Sequence, residues 1–566
     1  MVSNQARDFS QFASRPDNFK RKKNKFDLSH DHKTTFSMGQ LIPFLTLETL
    51  PGDDFDIDSE IMCRFAPLYL PIMHRCDMTV HYFYVPWRIL WPGDVTGQNS
   101  WSAYITQRED LLAPYFEMPV DGIEDNGRYS IVNYMGFPTD DVTSGSGNIN
   151  FININAGPIA AYWKIWNEYY RNTQIQEEIQ IPLQDGLNAT TGWTQYFGVA
   201  PLFVANKLWN RDYFTAALPT PQVGAEVLVP MYNVDFVLPS DEPIQGNVRG
   251  PYRFRNESTH TVSAYEFIGQ EQLNVTDGPR IVGDAVNPIY LDNQETAATM
   301  RQFRLAARML EFLERLMRTG QRYRDFLKGH FGVDPDPGTI DLPVYIGGYK
   351  GRIVISEVMA TASTEVDSDF QPLGSYAGQA LAMESGKQRI KYFCKEHGFI
   401  IGIINIQPRS SYMQGLSKMW TRGVGIPGAE PGTVYDYAFE QFAGIGDQEI
   451  KYKELRYDFN NLAPNINHNE DVFGYIPRFS EYRWQNDIVS AEMRTLWLSF
   501  HMSRVFTQTT PDTLTDPVLN TEFVTCFPPV SRVFQIAAAQ DHEIYAWIFN
   551  NVYVWRSLPK FGIPSL

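Results

Sequence analysis

Five cations occupy one short stretch near the N-terminus: Lys20, Arg21, Lys22, Lys23 and Lys25, flanked by Phe19 and Phe26. Such a run can pair with phosphates while the rings stack on bases, the two interactions that hold a single-stranded nucleic acid. Other patterns that would announce chemistry fail on spacing. Gly423-Val424-Gly425-Ile426-Pro427-Gly428 matches G-x-G-x-x-G, but Pro427, Pro431 and Gly432 forbid the helix whose N-terminus would hold a pyrophosphate. No G-x-x-x-x-G-K-[ST], H-E-x-x-H or G-x-S-x-G occurs. His30 and His32 are the one close histidine pair, a poor metal site by themselves. Asp53 and Asp54 follow Pro51-Gly52, which reads as a turn rather than a pair of catalytic carboxylates. Cys63, Cys76, Cys394 and Cys526 form no C-x-x-C and read as reduced thiols. The sequence therefore predicts no catalytic residue, no metal site and no cofactor.

The elements that must position the basic run are mostly strands. The 566 residues carry 48 Lys+Arg against 65 Asp+Glu, a formal charge of −17, and 14% are aromatic. Disorder is excluded, because disordered chains are poor in aromatics. Acidity argues against a surface that coats nucleic acid throughout, but residues 1–35 hold eight basic and four acidic side chains. The N-terminus has no apolar core of a secretory signal, and the apolar run Phe399–Ile406 is far short of a ~20-residue membrane span. Met78, Val80, Tyr82 and Tyr84 alternate with Thr79, His81, Phe83 and Val85, a strand pattern. Ile61–Leu70, Arg352–Ala360, His397–Ile406, Glu522–Phe527, Val533–Ala538 and Ala546–Trp555 are further strand candidates. Their wide spacing predicts one β domain with large insertions. Helices are expected at Ile159–Arg171, at Val489–Arg504 and above all over Ala297–Lys328. In the last, Phe303, Ala306, Leu310, Leu313 and Met317 share a face and Gly320 interrupts. Residues 225–298 hold four arginines against eleven acidic residues and dense turn signals, and read as a separate surface insertion.

One resemblance covers most of the chain. FDLSHDHKTTFSMGQLIPFLTLETLPGDDFDIDSE, RFAPLYLPIM and HYFYVPWRILW follow one another within Asn24–Trp91. IWNEYYR at Ile165–Arg171, NRDYFTAALPTPQVG at Asn210–Gly224 and TGQRYRDFLKGHFGV at Thr319–Val333 come next. LPVYIGG at Leu342–Gly348, EHGFIIGI at Glu396–Ile403, FGYIPRFSEYRW at Phe473–Trp484 and the terminal RSLPKFGIPSL complete the series. In this order the blocks resemble the major capsid proteins of the Microviridae, in particular the gokushovirus branch. Glu48-Thr49 and Thr319-Gly320 depart from the usual pattern, and TSGSGNI at Thr143–Ile149 has no counterpart in it.

The resemblance implies a mainly β fold: a single eight-stranded jelly roll with long inserted loops and a few helices. It implies a basic arm over 1–35, a first part of the jelly roll over 36–224, a threefold protrusion over 225–298, and a helix, loops and the remaining strands over 299–566. It further implies a non-enzymatic protein that assembles with itself into a T=1 icosahedral shell around circular single-stranded DNA in the cytoplasm of a bacterial host. A small basic DNA-binding protein, a minor pilot protein and a host-cell receptor are the other partners implied, with no membrane. On this reading Lys20, Arg21, Lys22, Lys23 and Lys25 face DNA. Asp241, Glu242, Arg249, Tyr252, Arg253 and Arg255 of the acidic insertion would then serve host attachment. The residues by themselves leave two alternatives, a β-rich enzyme such as a glycosidase and a phage receptor-binding or tail protein. The basic arm and the missing signal oppose the first.

Overall fold

The structure is a computed structural model. It describes residues 22–94, 98–106, 110–119, 129–138, 151–179, 183–188, 204–224, 252–255, 262–265, 280–282, 300–359, 364–366, 369–371, 376–384, 389–422, 447–457, 468–506, 517–536 and 542–560. Eight strands make its frame: β1 (His30–Phe36), β2 (Ile42–Thr49), β3 (Asp54–Phe65), β4 (Cys76–Pro86), β5 (Val344–Arg352), β6 (Ile390–Phe393), β7 (Gly398–Pro408) and β8 (Ile544–Arg556). All pair antiparallel. One sheet runs β1-β8-β3-β6 and the other β2-β7-β4-β5. Chain-terminal strands thus lie beside each other, and successive strands swap sheets except β4 and β5, which pair within the second sheet; this is jelly-roll connectivity. The first sheet is wider than expected. Asn24–Asp27 also pairs with β8, Tyr376–Glu384 with β3, and Val354–Met359 with Tyr376–Glu384, giving seven strands.

Burial explains why these segments are strands. On β8, Ile544, Ala546, Ile548, Asn550, Val552 and Val554 point inward, in strict alternation. They meet Ile57 and Ile61 of β3, and across the sandwich Val80 and Tyr82 of β4 with Ile400 and Ile404 of β7. Each such aliphatic side chain contributes about 1.5–3 kcal/mol by leaving water. β7 is buried along its whole length. Ile400, Ile404 and Ile406 face the first sheet, while Phe399, Ile401 and Ile403 face a layer of aromatics. That layer includes α1 (Gly157–Ile165), continued by a π-turn at Trp166–Tyr170. β4 is covered on both sides in the same way, so its period-2 pattern is an alternation between two cores.

Three expectations at the C-terminal side are corrected. Thr521–Val524 is a short helix, capped by the Asn520 side chain accepting from Phe523 N–H at 2.9 Å, where a strand over Glu522–Phe527 was expected. Val533–Ala538 is no strand in its described part. Pro528-Pro529 precede a 3-10 turn at Val530–Arg532, and Phe534 makes one bridge to Leu68. The helix expected over Val489–Arg504 is replaced by 3-10 turns at Ala491–Arg494 and Leu498–Phe500, with Ala491 at φ +54°, outside any α-helix. The long helix is present as α2 (Met300–Thr319). Gly320, at φ +114°, ends it before Tyr323–Phe326. Gly423–Gly428 and Thr143–Ile149 lie outside the described residues.

Contacts divide the chain into two compact units, Met1–Pro221 with Leu316–Leu566, and Gln222–Arg315. The second contains a three-stranded antiparallel sheet of Arg280–Val282, Tyr252–Arg255 and Val262–Tyr265. Within the first, a third core gathers Phe214, Tyr412, Phe473 and Phe523 around polar Asp212 and Arg504. Among the described residues, no helix is long and apolar enough to cross a membrane.

Candidate nucleic-acid interface

The alternation that sends aliphatic residues of β8 into the core sends Tyr545, Trp547, Phe549, Tyr553 and Trp555 to the opposite, outer face of the first sheet. Tyr545 is exposed and the other four are half-buried. This is a ladder of rings along one strand at every second residue, interrupted by Asn551 between Phe549 and Tyr553.

Cations sit at both ends of the ladder. Asn24–Asp27 pairs antiparallel with the end of β8, from Asn24 opposite Arg556 to Asp27 opposite Tyr553. That register lays the Lys25 ammonium 3.7 Å from the ring centre of Tyr553 and 5.5 Å from that of Trp555. Lys23 lies 4.8 Å over the ring of Phe393 in β6. Asp27 accepts from the Ser29 hydroxyl and N–H, which holds its carboxyl below the usual carboxylate range and keeps it occupied within its own turn. Arg556 is committed to the fold: it pairs with buried Asp53 at 2.8 Å and donates to the Glu48 carbonyl at 2.7 Å.

At the other end, Lys33 of β1 stands in register with Trp547, and Arg64 of β3 with Tyr545. Together with Met62, Tyr129, Asn133 and Tyr134 they line an open groove of about 640 Å³. Tyr134 is anchored by donating to the Thr35 carbonyl at 3.0 Å, and Tyr129 packs 4.3 Å from the His542 ring centre. Among the described residues, the side chains of Lys33 and Arg64 make no hydrogen bond or ion pair, so their charges are available to a ligand. On the same face of β3, Glu60 and Asp58 stand opposite Phe549 and Asn551 in the middle of the ladder, and Asp56 and Asp54 stand opposite Tyr553 and Trp555 at the Lys25 end, where Arg389 neutralises Asp56 at 2.7 Å. A polyanion is therefore favoured most at the Lys33 and Arg64 end and disfavoured at the middle of the ladder.

Of the residues expected to face DNA, Lys25 lies on this ladder, Lys23 lies over Phe393 of β6, and Lys22 is exposed just before them. Lys20 and Arg21 lie outside the described residues, as do Asp241, Glu242 and Arg249 of the insertion. Tyr252, Arg253 and Arg255 fall in the strand Tyr252–Arg255, described by its backbone. The structure adds Lys33, Arg64, Tyr545 and Trp547. Lys33 counts in the charge of the arm but not as a site residue by sequence reasoning. The signal for the rings was the period-2 repeat of aromatics in YAWIFNNVYVW, legible in Ala546–Trp555 once that segment is taken as a strand with one buried face.

The family model described as capsid protein (F protein) matches residues 16–566. Capsid protein VP1 of Chlamydia phage 1 is 27% identical over 614 aligned residues, covering 96% of each chain. Capsid protein VP1 of Bdellovibrio phage phiMH2K is 27% identical over 566 residues, covering 96% of this chain and 95% of its own. Capsid protein VP1 of Spiroplasma virus 4 is 23% identical over 496 residues, covering 84% and 82%.

Proposed function

Because the chain belongs to the capsid protein (F protein) family of the Microviridae and is a structural, non-catalytic component of a phage virion, we propose that it closes into a small T=1 icosahedral shell. In this reading the outer face of its first sheet holds circular single-stranded DNA. The observation that carries the DNA assignment is the pairing of rings with cations: Lys25 on Tyr553 and Trp555, and Lys33 and Arg64 flanking Trp547 and Tyr545. Stacking needs a base without its partner strand, so this arrangement suits a single strand better than a duplex. Lys22, Lys23 and Lys25 of the arm lead onto the same ladder, and Lys20 and Arg21, which precede them in sequence, are assigned to DNA with them. A small basic DNA-binding protein and a minor pilot protein would share the interior. Electron microscopy and nuclease protection of the purified product test the reading: closed shells of one size protecting circular single-stranded DNA are expected, and fibres, dispersed protein or unprotected DNA would refute it.

Host attachment falls to the acidic insertion 225–298, where Asp241, Glu242, Arg249, Tyr252, Arg253 and Arg255 are the candidate contacts to a surface receptor. Its support is composition: four basic against eleven acidic residues and dense turns suit an exposed loop carried on a rigid scaffold. Particles with the tip of this segment deleted are expected to assemble but to adsorb to host cells at least about tenfold less, as one lost contact cluster of ~1.4 kcal/mol would give. Unchanged adsorption by intact deleted particles would exclude the assignment.

A further inference from the structure

The cationic surface does not stop at the groove. β5 ends at Arg352, opposite Asp77 of β4, and after Ile353 the chain continues as the strand Val354–Met359 of the first sheet. Val354 stands opposite Leu381, and Leu381 stands opposite Arg64. Two strand spacings, ~10 Å, therefore separate Val354 from Arg64. Ile353 lies in the core and donates its N–H to the Cys76 carbonyl at 3.2 Å, which turns Arg352 outward. The outer faces of the two sheets meet at this corner. Four exposed cations gather there: Arg75, Lys350, Arg352 and Arg409. Lys350 shares the face of Arg352 on β5, and Arg409 donates its N–H to the Arg75 carbonyl at 2.9 Å. Asp77 pairs with Arg75 at 3.1 Å and with Lys350 at 2.9 Å, so one carboxylate is divided between two of the four. Among the described residues, the side chains of Arg352 and Arg409 make no hydrogen bond or ion pair. In a chain of formal charge −17 this excess runs against the average, and like charges so close together repel unless an anion joins them.

We propose that the single strand held in the Lys33 and Arg64 groove continues round this corner, where Arg352 and Arg409 take its phosphates with Arg75 and Lys350 beside them. The inference rests on the reading of the groove as a DNA site. Continuity decides the occupant: a polyanion leaving Arg64 meets the next unpaired cation across two strands, with no buried segment between the outer faces. Arginine suits the role, since its planar fork donates to a phosphate in pairs. Tyr69, on the connection from β3 to β4, is 51% exposed and supplies a further ring on which a base can stack. An acidic face of a neighbouring copy is the competing occupant.

Oligothymidylates of two lengths separate the corner from the groove. A probe of about four nucleotides occupies the groove alone, and one of about sixteen reaches the corner as well. With the full chain carrying Arg352→Gln and Arg409→Gln, the long probe is expected to lose about 1.4 from the slope of log affinity against log salt, ~0.7 for each phosphate contact. The short probe is expected to bind as it does to the unaltered chain. Lys350→Gln, with an expected loss of ~0.7, replaces the pair if the double variant does not fold. An unchanged slope for the long probe would overturn the proposal. Shells lost while that slope is unchanged would overturn it in favour of contact with a neighbouring copy. Failure of the short probe to bind the unaltered chain, or of Trp547→Ala to weaken its binding, is a different result and would overturn the groove itself.

Discussion

Particles assembled from a chain carrying Lys33→Ala, Arg64→Ala and Trp547→Ala are expected to hold at least about tenfold less nuclease-protected single-stranded DNA, at nearly normal particle yield. Base stacking on one aromatic side chain is worth ~1–3 kcal/mol, so loss of Trp547 alone approaches or exceeds a factor of ten. Each lost phosphate contact also lowers the salt dependence of single-strand binding by ~0.7, and two cations remove about 1.4. Lys33 and Arg64 are exposed and unpaired among the described residues, and Trp547 lies on the outer face of β8, so the jelly-roll core loses nothing. Substitutions away from the core usually stay within ~0.5 kcal/mol in stability, which separates a binding defect from a folding one. Neutralising Lys20, Arg21, Lys22, Lys23 and Lys25 acts in the same direction, and loss of Lys25 also frees the Tyr553 ring of its cation. Full DNA content in both variants would refute the interface.

The largest stability effect is expected at Asp212→Ala. One carboxylate oxygen accepts from Phe214 N–H at 2.9 Å, from Thr215 N–H at 2.8 Å and from the Thr215 hydroxyl at 3.0 Å. The other accepts from the Tyr412 hydroxyl at 2.8 Å and from the Ser410 hydroxyl. Burial next to this carboxylate raises the Tyr412 phenol well above its ordinary range, so it remains a donor at any working pH. Next to it, Arg504 lies 4.2 Å from the ring centre of Phe523 and donates to the Phe523 carbonyl at 2.9 Å. Three distant stretches, around 212, 411 and 504, are thereby tied together. Truncation leaves several buried donors unpaired at ~1–3 kcal/mol each, and relaxation of the site limits the total to roughly 3–5 kcal/mol. That is a large part of the ~5–15 kcal/mol that keeps a domain folded. Denaturant midpoints of the disassembled chain measure it. Asp212→Asn, which keeps the shape and one acceptor oxygen, should fall between the two. A change within ~0.5 kcal/mol for Asp212→Ala would refute the role of this carboxylate.

The frame was legible where a strand has a simple burial pattern. β7 reads as FIIGIINI because both of its faces are covered, and β8 reads as a strand because its aliphatic side chains alternate strictly. Segments near Pro528-Pro529 misled, because Val533–Ala538 has strand-forming residues but its neighbours deny it a ladder. Thr521–Val524 misled for a different reason: its Asn520 cap decides the local conformation over the β-branched residues that follow. The interface was half legible. A cluster such as Lys20–Lys25 announces itself by charge alone. Lys33, Arg64 and Trp547 belong to three separate strands, and only the register of β1 and β3 on β8 brings them to one groove. That juxtaposition is tertiary, and no local pattern encodes it.

Ultraviolet crosslinking of DNA to protein inside intact particles, read by mass spectrometry of the nucleotide-bearing peptides, tests the central claim most directly. Adducts on Tyr545 or Trp547 of β8, lost when Trp547 is replaced and Tyr545 is changed to Leu, are the result expected. Adducts confined to other segments, with the β8 peptide unmodified in DNA-filled particles, would contradict it.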